Sequence, residues 1–207
     1  ERIYEPAPLE VDGREIARGF GVLRGVWTPF KNPLTQLPIG RRGRVTLRIA
    51  RDRVAPDAPA EQLPYLVVSE PIPSGATVIE KSVEGGFERF EIGPGVITFY
   101  IGNRRHVGEI HYDLYGYLSG SYRAAPTLLR NAHRPEQQAV AAAKTLTVLP
   151  QGATSSDPYR LTPVELFELG KLCSAKGDLK TAVAHLSELL GKWNVNLETY
   201  RQAVTIL

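Results

Sequence analysis

The residues of this 207-residue chain whose types could do chemistry are four histidines, one cysteine and a run of tyrosines. His106 and His111 are five apart, and His133 and His185 stand alone. The chain has no His-x-His or His-x-x-x-His pair and no Cys/His cluster, so spacing gives no metal centre. Asp113 stands two residues from His111, on the same face of a strand. Such a pair can orient a general base, but no Ser or Cys lies close in sequence to act as the nucleophile. The plainer reading of Asp113 is an exposed salt link across that face. Cys173, in "KLCSAK", falls on the apolar side of a predicted helix and is expected to be a buried, inert thiol. No Gly-rich phosphate loop is present, so no nucleotide cofactor is expected.

The tyrosines are more informative. Along "HYDLYGYLSGSY", alternation puts Tyr115 and Tyr117 with His111 and Asp113, and Tyr112 with Leu114 on the other face. Tyr115 and Tyr117 either pack against a neighbouring sheet or the helical tail, or form an exposed patch suited to a protein or glycan. His111, Tyr115 and Tyr117 are therefore the candidate protein-contact residues.

Bulk properties narrow the class. A net charge of +3 and a pI near 9.0 are only mildly basic, which argues against a nucleic-acid partner. The densest basic run is "GRRGRVTLRIARDR". It alternates Arg44, Thr46, Arg48 and Ala50 against Val45, Leu47, Ile49 and Arg51, as the solvated face of an amphipathic strand would. One cysteine allows no internal disulfide. No window holds 18 uninterrupted apolar residues, so no membrane insertion by this piece is expected. The chain lacks Met even at position 1 and is expected to be cut from a longer protein.

The 16 Pro and 19 Gly favour many short strands. Strands are predicted at Gly19–Val26, Arg44–Ala50, Tyr65–Ser69, Thr77–Lys81, Phe87–Ile92, Val96–Ile101, Glu109–Tyr117 and Lys144–Leu149. "GVITFYI" reads as a strand buried on both faces or nearly so. Asp52–Gln62 is an Ala/Pro/acid loop, and "RNAHRPEQQAVAAAK" a loop or short helix. In "YLVVSEPIPSGATVI", Pro71 and Pro73 stiffen a corner, Gly75 is expected to supply an unusual backbone angle, and Glu70 to cap exposed amides.

The composition changes at Gln151, where "QGATSSDP" reads as a linker. Thr162, Pro163 and Glu165 then make a capping box. Val164, Leu166, Phe167, Leu169 and Leu172 form one apolar stripe; Leu179, Ala182, Val183, Leu186, Leu189 and Leu190 form a second. Asn196 caps a third helix. Trp193 and Phe167 could dock back on the sheet.

Two resemblances follow from these residues. Leu169-Gly170, Gly177 and Ala182, with Tyr200 falling 34 positions after Leu166, resemble a tetratricopeptide repeat, a helical hairpin of about 34 residues. "GRRGRVTLRI", "YLVVSEPIPSGATVIE", "GVITFYI" and "GEIHYDLYGYLSGSYRAAPTLLRNAHRPE" occur in the order seen in the C-terminal domain of bacterial alpha-macroglobulins, which this part resembles over about Arg18–Pro150. His133 stands where that family usually has a Tyr before its Pro-Glu. The family traps proteases through a thioester formed from Cys-x-Glu-Gln in a separate helical domain, and this chain has no such motif.

The expected architecture is mainly β with an α tail: an antiparallel β-sandwich over 1–150, a linker over 151–160 and tetratricopeptide-like helices over 161–207. The resemblance implies a non-catalytic structural and protein-interaction module of a large bacterial macroglobulin-like protein, periplasmic or at the cell surface. The helices would be its docking surface, and its partner a protein or other domains of the same parent chain. The alternative is a scaffold, adhesin or carbohydrate-binding sandwich unrelated to protease trapping.

Overall fold

The computed structural model describes residues 1–16, 20–23, 26–29, 32–50, 63–103 and 107–207, with only the backbone described for 20–23 and 26–29. The expected loop Asp52–Gln62, His106 and part of the expected strand Gly19–Val26 lie outside these residues.

The strands, in chain order, begin with β1 (Arg2–Pro6), β2 (Glu10–Val11), β3 (Arg14–Glu15), β4 (Phe20–Leu23), β5 (Val26–Pro29), β6 (Gln36–Pro38), β7 (Arg42–Arg48) and β8 (Leu66–Pro71). They continue with β9 (Ala76–Gly85), β10 (Arg89–Gly93), β11 (Val96–Gly102), β12 (Glu109–Gly116), β13 (Gly120–Ala124), β14 (Leu128–Asn131), β15 (Gln138–Val140) and β16 (Lys144–Leu149). Helices α1 (Pro163–Ala175), α2 (Leu179–Lys192) and α3 (Leu197–Ile206) close the chain. The protein is thus mainly β with three C-terminal helices.

The chain divides into two compact units. One holds Glu1–Ala7 and Pro33–Asp157, the other Pro8–Asn32 and Pro158–Leu207. This differs from a single β region over 1–150, because Pro8–Asn32 groups with the helices. The contacts give the reason. The Asn32 side-chain amide donates to the Arg160 carbonyl at 3.0 Å and accepts from the Arg160 N–H at 2.8 Å, and β2 lies against α1.

Among the described residues the first unit contains three sheets. Their orders are β1-β7-β12-β9, β10-β11-β8-β14-β15 and β13-β16-β6. Pairing is antiparallel in all of them except β16 on β6, which is parallel. The inward residues follow the period-2 pattern of the strands. Val45 and Leu47 of β7 join Ile110, Tyr112 and Leu114 of β12, Val68 of β8, Ile97, Phe99 and Ile101 of β11, and Leu37 and Leu146. All belong to one cluster, and Phe99 meets Tyr112 at 6.2 Å between ring centroids. Sealing one such aromatic side chain is worth roughly 1.5–3 kcal/mol. The apolar run of β11 is deeply buried only on the face of Ile97, Phe99 and Ile101; Val96, Thr98 and Tyr100 are half-buried. "RNAHRPEQQAVAAAK", expected as loop or helix, supplies the end of β14 and all of β15.

The stretch Gln151–Asp157 is fastened at its end. The Asp157 carboxylate accepts from the Thr35 N–H at 2.6 Å, the Thr35 hydroxyl at 2.5 Å and the Gln36 N–H at 2.8 Å. Desolvation opposes its ionisation, but these donors hold its pKa below the usual carboxylate range.

In the second unit Thr162 caps α1, with the reciprocal Glu165 bond in place. Tyr159 donates to Glu165 at 2.6 Å, so the capping carboxylate is satisfied although buried. Gly170 lets α1 approach α2: a Cβ there would sit 2.6 Å from the Leu186 side chain. Leu166, Leu186, Leu189, Trp193 and Ala203 form the unit's own core, and the Arg160 guanidinium lies 4.8 Å over the Trp193 ring. Trp193 and Phe167 belong to this cluster. Val164, Leu179 and Val183, expected in apolar stripes facing a core, are exposed. Cys173 is half-buried rather than sealed.

Candidate functional site

β12 lies between β7 and β9, so every second side chain leaves the core on one face. The antiparallel register sets Glu109 opposite Arg48, His111 opposite Thr46, Asp113 opposite Arg44 and Tyr115 opposite Arg42. Opposed charges of this kind are the favourable cross-strand pairs. Arg44 donates to Asp113 at 2.8 and 3.3 Å, and Arg42 donates to the same carboxylate at 3.3 Å. Asp113 is fully buried beneath these two arginines, where an exposed salt link was expected. The reason is crowding: two long guanidinium side chains from the neighbouring strand close over one short carboxylate.

His111 is half-buried. Its Nδ1 shares a hydrogen bond with the Thr46 hydroxyl at 3.1 Å, and its Nε2 is 3.4 Å from Glu109. Glu109 also accepts from Arg48 at 2.6 Å. Asp113 is engaged by arginines and so does not orient the imidazole.

Tyr115 and Tyr117 are 38% and 54% exposed, and Leu118 beside them is 54% exposed. Tyr117 is held in place: its hydroxyl donates to the Ser74 carbonyl at 2.7 Å, and its N–H donates to the Gly75 carbonyl at 3.0 Å. The Pro-rich corner before β9 is therefore a platform for the tyrosine. Gly75 is needed there for space, not for an unusual backbone angle. A Cβ at Gly75 would fall 2.0 Å from the Tyr122 ring. His111, Tyr115 and Tyr117 thus follow one strand, with the two tyrosines open to solvent and His111 tied to its neighbours.

A polar centre that the sequence reading missed lies in the core of the same unit. Glu70, expected to cap amides at a turn, is fully buried and pairs with Arg2, also buried, at 3.1 Å. The Tyr112 hydroxyl donates to the same carboxylate oxygen at 3.2 Å, and the Thr127 hydroxyl donates to the other oxygen. Arg2 also donates to the carbonyls of Ala125, Ala124 and Ala142 at 3.0, 3.4 and 3.1 Å. Burial pushes the Glu70 carboxyl above its ordinary range, with Arg2 and the hydroxyls pulling the other way. Burial likewise raises the Tyr112 and Tyr4 hydroxyl pKa values. The only signal in sequence is a Glu near the end of the mostly apolar β8, since Arg2 shares the short β1 with a second charge, Glu5. The separation of 68 residues between Arg2 and Glu70 hides the pairing. Among the described residues no group of three or more His, Cys, Asp or Glu converges to hold a metal ion.

No protein-family model matches the chain, and no curated protein matches it. Among solved structures it is similar to native alpha-2-macroglobulin of Escherichia coli, at 13% identity over 72% of this chain, with a TM-score of 0.47. The Escherichia coli protein activated by porcine elastase gives 14% identity, 72% of this chain and a TM-score of 0.46. A mutant Salmonella alpha-2-macroglobulin gives 15%, 72% and 0.44. The match spans 9%, 13% and 9% of those three chains in turn. A likeness of this size shows neither a shared activity nor a shared site.

Proposed function

We propose that this chain is a non-catalytic protein-interaction module from a bacterial macroglobulin-like protein of the cell envelope. The observation that carries the interaction reading is the pair Tyr115 and Tyr117, exposed although large and aromatic, on the central strand β12 and just after its end. Aromatic side chains presented on a fixed backbone are the groups that dominate protein interfaces. The family reading is supported by the order of the four sequence segments that resemble the macroglobulin C-terminal domain. In that reading the first unit is a β-sandwich built on the shared core, and the location is periplasmic or cell-surface. No helix among the described residues is long and apolar enough to cross a membrane.

The helices of the second unit are proposed as a docking surface of their own. Leu197, Tyr200, Val204 and Leu207 recur at helical spacing along α3 and its end, and all four are exposed. Gly170 against Leu186 is the close approach that a tetratricopeptide-type hairpin requires.

The test is capture from bacterial envelope extract with the whole chain and with a Tyr115→Ala/Tyr117→Ala double variant. The proposal expects a captured protein that the double variant loses. Capture that is unchanged in the double variant, but lost on Tyr200→Ala/Val204→Ala, moves recognition to the helices. Two exposed tyrosines also favour one other reading, a carbohydrate-binding face. Retention of the wild-type chain, but not the double variant, on immobilised glycans would establish it instead.

A further inference from the structure

β9 and β10 each stand at the end of a sheet, and a short turn joins them. Beside this turn lies a pocket of about 510 Å³ lined by Glu80, Phe87, Glu88, Arg89, Phe90 and Ile92. Its floor is aromatic. Phe87 meets Phe90 edge to face at 5.6 Å between ring centroids, and the two rings stand 5.5 and 6.4 Å from the buried Phe99. Alternation along β10 puts Ile92 on the same face as Phe90, which packs against the core. Ile92 is nevertheless 43% exposed, so apolar surface stays open where the core ends.

The rim carries an excess of negative charge. Arg89, the one cation lining the pocket, is engaged elsewhere: it pairs with Glu91, and its guanidinium lies 3.7 Å over the Tyr100 ring. Glu88 accepts from the Tyr65 hydroxyl at 2.9 Å, a donor that brings no charge. Glu80 is exposed, and among the described residues no cation pairs with it. Lys81, next along the chain, does not line the pocket. Glu80 also stands in a bulge. Asp113 of β12 pairs with Ile79 and His111 with Glu84, so Glu80–Val83 leave the ladder. The Ser82 hydroxyl fixes this bulge, donating to the Ile79 carbonyl at 2.6 Å and accepting from the Asp113 N–H at 2.7 Å. Bulges re-aim side chains in this way.

We propose that this pocket takes the side chain of a lysine from another polypeptide. The apolar stem lies along Phe87, Phe90 and Ile92, and the ammonium meets Glu80 at the rim. Charge complementarity selects a cation, because Glu80, Glu88 and Glu91 face only Arg89. The apolar floor selects a cation carried on a long aliphatic stem, and a lysine buries its stem while keeping its charged head at the surface. An aromatic wall also attracts an ammonium group. One side chain in an open pocket supports a weak affinity, as one anchor of a larger contact. The site is separate from the β12 tyrosines and does not depend on the family reading.

The probe is a capped Ala-Lys-Ala peptide, titrated into the whole chain and followed by amide, methyl and aromatic-ring NMR. Saturable shifts are expected at Phe87, Phe90 and Ile92, with a Kd of about 1–10 mM. The same peptide with norleucine in place of lysine keeps the stem, loses the charge and should not saturate. Glu80→Gln should weaken binding roughly twofold to fivefold, and Glu80→Lys should abolish it. Glu80 is exposed, so both variants should fold, and unchanged spectra away from the pocket check this. Tyr115→Ala/Tyr117→Ala should leave the binding as it is, which separates this site from the β12 face. The proposal is overturned by absence of saturable shifts up to about 50 mM, by equal binding of the norleucine peptide, by Glu80 variants that bind like the wild type, or by loss of binding in the tyrosine variant. Free n-butylammonium that binds more than about tenfold more tightly than the peptide also overturns it, by making a small amine the ligand.

Discussion

Glu70 and Asp113 are both sealed from solvent, yet opposite environments hold them. Glu70 sits in the core, paired with an arginine that is itself buried and with the hydroxyls of Tyr112 and Thr127. Asp113 sits on the outer face, covered by two arginines whose side chains remain 33% and 22% exposed. The first pair faces only protein, so losing one member strands a charge. The second can trade a lost bond for water. The same unit thus uses one carboxylate to tie strands together and the other to level the face from which Tyr115 projects.

The largest effect that tests this contrast is expected from Arg2→Met. It leaves Glu70 buried without its cation, and denaturant unfolding should show a loss of about 3–5 kcal/mol. A loss below about 1 kcal/mol would mean that Glu70 is not held by the pair at all.

The pH dependence sharpens the point. The folded-state pKa of Glu70 is raised, so its stabilising contribution is fully present below the unfolded-state value. That contribution is lost as pH rises through the folded-state value. Glu70→Gln should remove this decline, and unfolding midpoints taken from acid to neutral pH would reveal it. Parallel profiles for the two proteins would contradict the raised pKa. Asp157 should behave in the opposite sense. Its pKa is lowered, so its contribution is present above the unfolded-state value and is lost as pH falls through the folded-state one.

Asp113→Asn should cost less than Arg2→Met, roughly 1–3 kcal/mol, because Arg42 and Arg44 can turn to solvent. Equal costs for the two variants would erase the distinction drawn here. Tyr115→Ala should change stability by no more than about 0.5 kcal/mol, since the side chain is part of an open surface. A larger loss would make Tyr115 a packing residue and weaken its reading as a contact.

Local signals account for much of what could be read in advance. The alternation of Arg44, Thr46 and Arg48 with Val45 and Leu47 specified β7, and Thr162 with Glu165 specified the start of α1. Tyr115 and Tyr117 were identifiable as candidates because a strand period of 2 assigns faces without knowing the partner strand. Burial was less legible. Asp113 and Glu70 are charged residues in ordinary strand patterns, and only their neighbours decide that both are sealed.

The sequence by itself determined the mainly β character, the three helices with the caps Thr162 and Asn196 of the first and third, and the alternation along β7 and β12, because these depend on contacts within a few residues; Thr46, read on a solvated face, is buried. Tertiary structure alone decided the pairing of Arg2 with Glu70, the role of Gly75 as space for Tyr122, and the grouping of Pro8–Asn32 with the helices. Each of these joins residues far apart in the chain. Such contacts arise from the packing of whole sheets and helices, which no local pattern encodes.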